Sequence, residues 1–127
     1  MSSTTAADAE ARALGRKLLK AAASPREKAA VWALVEEGEI FARSEVRRTL
    51  VWQTDKGIEL TWQHLSCGLY ALGLDDSERS FVDLVLSIAW PHQTSLMRVT
   101  ELGSRRLDIV LQAIRQLAGD DMTAART

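Results

Sequence analysis

The sequence predicts a mainly α-helical fold, a bundle of five or six helices, in one domain over residues 1–127. Apolar residues recur at three- and four-residue spacing along most of the chain, and helix-start signals and Gly or Pro residues punctuate these stretches. A chain of 127 residues that is 46% hydrophobic and 26% charged fits one globular domain. The small polar residues at about 1–5 and 120–127 predict disordered ends.

The first two helices differ in how clearly the sequence marks them. Residues 6–23 carry only a thin apolar stripe, so this helix is expected to pack late or against a partner; the stripe consists of Ala11, Leu14, Leu18 and Ala22. The segment Ser24-Pro25-Arg26-Glu27 gives the clearest start, because Ser caps the helix, Pro takes its first position and Glu follows three residues after the cap. This second helix is expected to stop or bend at Gly38. Ser44 is expected to begin a further short helix, "SEVRRTL".

The stretch TLVWQTDKGIELTW, residues 49–62, supports two interpretations. As a β-hairpin around 49–60, Asp55-Lys56-Gly57 forms a three-residue loop with Gly at the position that needs a positive φ. The cross-strand pairs are then Thr54–Ile58, Trp52–Leu60 and Leu50–Trp62. As two helices, Gly57 ends the first, and an apolar stripe continues from Ile58 to Leu72. The longer stripe favours two helices, and the hairpin stays an alternative.

The second half of the chain gives firmer signals. Asp75-x-x-Glu78 matches a capping box and opens a helix at 76–90 that is apolar nearly all round, so it is expected to be central. Pro91 ends it. A last helical segment, 94–119, is expected either to break at Gly103 or to cross a neighbouring helix closely there.

Charge and cysteine content narrow the class of protein. A net charge of −1 and a pI near 6.1 argue against a protein that coats nucleic acid or a membrane surface. The single cysteine excludes an intrachain disulfide and fits a reducing cytoplasm. The first 17 residues contain no apolar core of signal-peptide length, and no stretch approaches the ~20 apolar residues of a membrane span, so no membrane association is predicted. Abundant alanine, and more arginine than lysine, are typical of a GC-rich bacterial genome.

Candidate metal and nucleophile chemistry is weak in this sequence. His64 and Cys67, three residues apart, could share a metal ion with His92 or form a Cys–His nucleophile, but nothing predicts that His92 lies nearby and no orienting residue is recognisable. The acidic run at 36–39, "EEGE", is interpreted as a solvated helix end. No Gly-rich phosphate loop or nucleophile elbow occurs. No catalytic residue, cofactor or metal is therefore predicted.

Two groups of residues remain as candidate contact sites. Arg43, Arg47 and Arg48 form the best basic cluster and could contact nucleic acid, although a winged helix needs two helices where this chain has room for one. The other group, a candidate interface or pocket, consists of Trp52, Trp62, His64 and Trp90. Trp52 is expected to be the exposed or interfacial one, because neither helical stripe needs it.

Because no catalytic residue, cofactor or metal is predicted, the predicted function is that of a non-enzymatic helical interaction or regulatory module. It is expected to associate with itself as a homodimer, or with a protein partner, through its first and last helices. One alternative is a DNA-binding transcriptional regulator that uses the three arginines. Another is a small-molecule binder or enzyme with a tryptophan-lined pocket.

Overall fold

The computed structural model describes residues 6–119, so the disorder predicted for 1–5 and 120–127 falls outside the described residues. Within them the chain forms six α-helices, two short 3₁₀-helices and one two-stranded hairpin. In order they are α1 Ala6–Ala21, α2 Pro25–Glu37, α3 Ser44–Leu50, β1 Val51–Thr54, β2 Gly57–Leu60, α4 Trp62–Gly68, a 3₁₀-helix Leu69–Ala71, α5 Asp76–Ala89, a 3₁₀-helix Leu96–Glu101 and α6 Gly103–Leu117. The mainly α fold with a short hairpin is confirmed, and the 3₁₀-helices add to the predicted helix count.

The start of α2 follows the predicted capping pattern with one difference. The Ser24 hydroxyl accepts a hydrogen bond from the Glu27 backbone N–H at 3.3 Å. The Glu27 carboxylate accepts from the N–H of Ala23, at 3.0 Å, instead of from that of Ser24. Its other oxygen accepts the indole N–H of Trp62 at 3.0 Å, which ties the start of α2 to the start of α4. The helix ends at Gly38, whose φ is +80°.

Residues 51–60 form the hairpin, with α3 ending at Leu50 and α4 starting at Trp62, so the favoured interpretation of 49–62 as two helices that meet at Gly57 was wrong. The predicted register was also off by one residue, because Val51 pairs with Leu60 and Thr54 pairs with Gly57. The Thr54 hydroxyl explains the tighter loop: it accepts from the Lys56 N–H at 3.2 Å and donates to the Gly57 carbonyl at 3.0 Å. Gly57 has a φ of +123°, as the hairpin interpretation requires.

The core lies around α5, as predicted. Helix α5 starts with a complete capping box between Asp75 and Glu78, and ten residues of this helix are buried. The most extensive helix packing is that of α2 against α6 and α5, while α1 covers α2 and β2. Among the described residues the largest fully buried apolar side chains are Phe41, Phe81, Leu18, Leu34, Ile40, Leu50, Leu65 and Leu86.

Two glycines show where helices break and where they touch. Gly103 has a φ of +78°, and a Cβ there would meet nothing within 4 Å, so it breaks the last helical segment and makes no close crossing. The close crossing is instead at Gly15 in α1. A Cβ at Gly15 would lie 2.6 Å from Cγ2 of Val35 in α2, so the two helices approach each other through the missing side chain.

The acidic end of α2 is not a solvated terminus at Glu37, which is 1% exposed. One Glu37 oxygen accepts from the Ile40 N–H at 2.9 Å, and the other accepts from Nε of Arg106 at 3.0 Å. Burial acts to lower the pKa of Arg106, but the hydrogen bond and charge of Glu37 outweigh it, and the pKa lies above its ordinary value. The interpretation of 36–39 as solvated was wrong for Glu37, because α6 brings a cation from far along the chain.

Candidate functional site

The arginines proposed for nucleic acid, Arg43, Arg47 and Arg48, lie at and within α3, where they make internal contacts. Nη2 of Arg43 donates to both carboxylate oxygens of Glu78 at 2.9 Å, and Nη1 donates to the Gly73 carbonyl at 3.2 Å. Such a two-pronged bond to a carboxylate holds a guanidinium in one place. Arg43 therefore joins the start of α3 to the start of α5.

The other two arginines close the turn before α3. Nη1 of Arg47 donates to the carbonyls of residues 41 and 42 at 2.9 and 2.7 Å. Arg48 donates to the carbonyl and hydroxyl of Ser44 at 3.4 and 3.3 Å. The pKa of Glu45 is lowered by a backbone hydrogen bond and then by Ser44 and the nearby arginines, so a carboxylate charge sits among them. The cluster is less cationic than the sequence suggests.

The tryptophans proposed for a pocket are brought together in part. Trp62, His64 and Trp90 line one open pocket of about 330 Å³, together with Leu60. Trp52 is 49% exposed, as predicted, and its ring lies 4.9 Å from that of His64, between centroids. Trp62 itself is buried, and the indole nitrogen of Trp90 is buried with no hydrogen-bond partner in the described part of the chain.

The histidines and the cysteine considered for a metal are not gathered into one site. Over residues 6–119, no group of three or more His, Cys, Asp or Glu side chains could hold a metal ion. The ring of His64 lies tilted at 47° against that of Trp52, and Cys67 is exposed and free. Both ring nitrogens of His92 are hydrogen-bonded elsewhere.

The most organised polar cluster, which sequence reasoning missed, surrounds Asp83 in α5. Nε2 of His92 lies 2.6 Å from one oxygen of Asp83. The other oxygen accepts from the Thr94 hydroxyl and lies 3.4 Å from Nε of Arg98. On the far side of the imidazole, Nδ1 of His92 lies 2.9 Å from Oγ of Ser66 in α4. A serine, a histidine and an aspartate thus form one chain of hydrogen bonds.

When the imidazole of His92 is neutral, its bonds fix the direction of this chain. The carboxylate of Asp83 is an acceptor, so the Nε2 nitrogen of the neutral imidazole carries the hydrogen. Nδ1 is then the acceptor, and the Ser66 hydroxyl donates to it. Asp83 is buried and His92 half-buried, so the bond between them is shielded from water.

The cluster opens onto a second pocket, of about 430 Å³. Its polar lining comes from α4, the 3₁₀-helix Leu69–Ala71, α5 and the segment after α5, namely Ser66, Tyr70, Asp83, His92, Gln93, Thr94, Ser95 and Arg98. A hydrogen bond with Tyr70 raises the pKa of Arg98 above its ordinary value, and its guanidinium lies 3.4 Å from Asp83 and 3.7 Å from Glu101. The pocket therefore brings the Ser66 hydroxyl and the Arg98 guanidinium to one surface.

The sequence does contain a signal for this cluster, although it is indirect. Asp83 is the one ionisable residue in the part of α5 that follows Arg79, and a buried carboxylate needs a partner. Pro91 ends α5 and turns the chain, which brings His92 and Thr94 back beside Asp83. The partners could not be chosen from spacing alone, because Ser66 comes from a separate helix.

Comparison of the chain with family models, with curated proteins and with solved structures finds no match. In the described residues, no helix has the length and apolar character needed to cross a membrane.

Proposed function

We propose that the protein is a helical interaction module that forms a homodimer through the outer face of α6, defined as Leu107, Leu111 and Ile114. This proposal rests on the exposure of large apolar side chains along this face: Leu111 is 48% exposed and Ile114 is 44% exposed, while Leu107 is half-buried. Their spacing of four and three residues places them on one stripe. Such a stripe on a surface helix supports packing against another helix.

The charges beside this stripe support a second copy of the chain as the partner. Asp108 and Arg115 each follow a stripe residue directly, so they flank the stripe on the same side, about two turns apart. A two-fold axis between two antiparallel α6 helices, near Leu111, would place Asp108 of one copy opposite Arg115 of the other. The same pair would form twice, which makes the face self-complementary.

The first helix does not support a role in association. Its stripe residues Ala11 and Leu18 are buried within the chain's own core, where α1 packs on α2 and β2. The proposed interface therefore narrows to α6, and a single helix pair predicts a weak dimer. Deleting 94–119 would be a poor test, because Ile109 and Val110 on the inner side of α6 belong to the core.

Light scattering over a concentration series, at low and high salt, tests the proposal. We expect the wild-type chain to dimerise and Leu111→Ser/Ile114→Ser to be monomeric at every concentration. The matched control is Leu96→Ser/Met97→Ser, which removes side chains that are 78% and 74% exposed but lie outside α6, and should keep the dimer. A wild-type monomer at the highest soluble concentration would overturn the proposal.

Exchange of the flanking charges tests the antiparallel geometry. Asp108→Arg alone should weaken dimerisation by about tenfold at low salt, since it sets two like charges opposite each other twice. Asp108→Arg/Arg115→Asp should restore it. Equal weakening in the double variant would contradict the proposed pairing.

The alternatives are unequally supported. A small-molecule function in the tryptophan-lined pocket is the second candidate, favoured by the position of Trp62, His64 and Trp90 on one cavity. DNA binding has less support, because Arg43 and Arg47 are bonded to a carboxylate and to backbone carbonyls. The one cysteine, free and exposed, supports our proposal of a reducing, cytoplasmic setting.

A further inference from the structure

The geometry points to Ser66 as an activated nucleophile that accepts the acyl group of small esters, in the pocket shared with His92 and Arg98. This inference is independent of the proposed dimer. It rests on the hydrogen-bond chain from Ser66 to His92, at 2.9 Å, and from His92 to Asp83, at 2.6 Å. A nucleophile, its base and the group that orients the base are recognised by their arrangement in space. Their order in the sequence does not matter.

The two ring nitrogens of His92 have different tasks in this arrangement. Nδ1 faces the hydroxyl and can take its proton, while Nε2–H is held by a buried carboxylate that stabilises the imidazolium as it forms. Asp83 is a positioning residue, and Thr94 and Arg98 hold its second oxygen. The carboxylate is thereby fixed on both sides, which limits rotation of the imidazole.

Arg98 supplies the positive charge that the reaction needs. Its side chain lines the same pocket as Ser66 and is 34% exposed, while its Nε contacts Asp83 and its Nη1 lies 3.7 Å from Glu101. A fixed cation in a pocket stabilises the negative charge that develops on a carbonyl oxygen under attack. The volume of about 430 Å³ is large enough for a small acyl compound.

The reaction proceeds in two steps, acylation of Ser66 and then hydrolysis of the acylated serine. Oγ of Ser66 forms a bond to the acyl carbon, its proton passes to Nδ1 of His92, and the ester C–O bond breaks as His92 returns that proton to the departing alcohol. Water then attacks the acylated Ser66, His92 takes a proton from the water, and Oγ recovers it as the carboxylic acid leaves. The net change is hydrolysis of one ester bond.

Covalent labelling tests the inference with two probes. A fluorophosphonate, which loses fluoride to an activated serine, should add one phosphonyl group, and peptide mass mapping should place it on Ser66. 4-Nitrophenyl acetate should be hydrolysed, with release of 4-nitrophenolate. Ser66→Ala should lose both signals, and His92→Gln should slow both by about a hundredfold.

Matched controls separate chemistry from folding. Ser104→Ala removes an exposed hydroxyl that lies outside this pocket and should keep both signals, and thermal unfolding should show that Ser66→Ala is folded. In Asp83→Asn, nitrogen-15 NMR should show a changed His92 tautomer, which a purely structural loss would not produce in a folded chain. The monomeric Leu111→Ser/Ile114→Ser variant should still be labelled, so failure of one proposal is distinguishable from failure of the other.

Two results would overturn the inference. The first is a folded wild-type chain that forms no adduct at Ser66 under conditions that label a known serine hydrolase. The second is a rate of ester cleavage that is the same in Ser66→Ala and in wild type. In either case the hydrogen bonds of Asp83 serve only to hold the segment after α5.

Discussion

At the scale of single residues, arginines stabilise the ends of helices that come from distant parts of the chain. Arg26 at the start of α2 donates to the carbonyls of Ile88 and Ser87, at 3.0 and 3.2 Å, at the end of α5. Arg105 of α6 donates in the same way to the last carbonyls of α2. These carbonyls lack partners within their own helix, and a planar guanidinium reaches two at once. The excess of arginine over lysine thus has a structural use.

The bond between Glu37 and Arg106 gives a prediction at this scale. Glu37→Gln keeps the shape of the side chain but leaves the partly buried guanidinium without its main counter-charge. We expect a loss of about 3 kcal/mol in the free energy of unfolding, because removing one partner of a buried pair leaves an uncompensated charge. Urea unfolding followed by circular dichroism measures this loss.

The neighbouring glutamate is the matched control for that prediction. Glu39 also contacts Arg106, at 3.2 Å, but its side chain is mostly exposed. Glu39→Gln should cost less than ~1 kcal/mol, as exposed pairs do. Equal losses in the two variants would show that burial of Glu37 does not matter.

The sequence predicted exposure at Trp52 correctly and burial at Glu37 and Asp83 not at all. Exposure followed from a local pattern, because no stripe required this ring. Burial of the two carboxylates depends on Arg106 and His92, and only the packing of α2 against α6, and the turn after α5, bring those partners close. Local patterns do not contain that information.

At the scale of elements, the contact of α1 with α2 depends on Gly15. Gly15→Ala should destabilise the protein by about 2 kcal/mol, because the added methyl group would overlap Val35 and the helices would have to move apart. The expected gain in helix propensity from alanine acts in the opposite direction and is smaller. Thermal and urea unfolding measure whether Gly15→Ala lowers or raises the free energy of unfolding.

Gly68 provides the control for Gly15→Ala. Its φ is −95°, and an added Cβ would meet only Thr49, at an ordinary 3.8 Å. Gly68→Ala should therefore leave stability within about 0.5 kcal/mol or raise it slightly. Stabilisation by Gly15→Ala would mean that α1 does not approach α2 as closely as described.

The hairpin shows why element type was harder to predict than element position. Ile58 to Leu72 carries an apolar spacing that suits a helix, yet the chain turns at Thr54 and Gly57. The Thr61 hydroxyl then donates to the carbonyls of Thr49 and Leu50, which closes the hairpin base and starts α4 at the next residue. Side-chain bonds to the backbone overrode the periodicity.

At the scale of the whole molecule, one core joins all six α-helices. Its buried residues come from α1 through α6, with no second cluster among the residues described. We expect one unfolding transition, in which tryptophan fluorescence and far-ultraviolet circular dichroism share a midpoint. If the chain dimerises as proposed, that midpoint rises with protein concentration. Separate midpoints for the two signals would contradict a single cooperative core.

The sequence predicted the class of the fold and the central place of α5, because a helix that is apolar nearly all round has only one stable location. It did not predict that α2 packs on α5 and α6, because several helices carry apolar stripes of similar spacing. Such stripes do not show which helix packs against which. In the structure, the buried Glu37 of α2 is bonded to Arg106 of α6, a contact that no local pattern indicates.

The packing of α2 also has a consequence for the time the chain takes to fold. Its main neighbours, α5 and α6, begin about 50 and 80 residues further along, so the largest contacts close long loops. Helical bundles usually fold fast because their contacts are local. This chain cannot complete its core until its last helix has arrived, and we expect it to refold in milliseconds or longer, at the pace of mixed α/β domains.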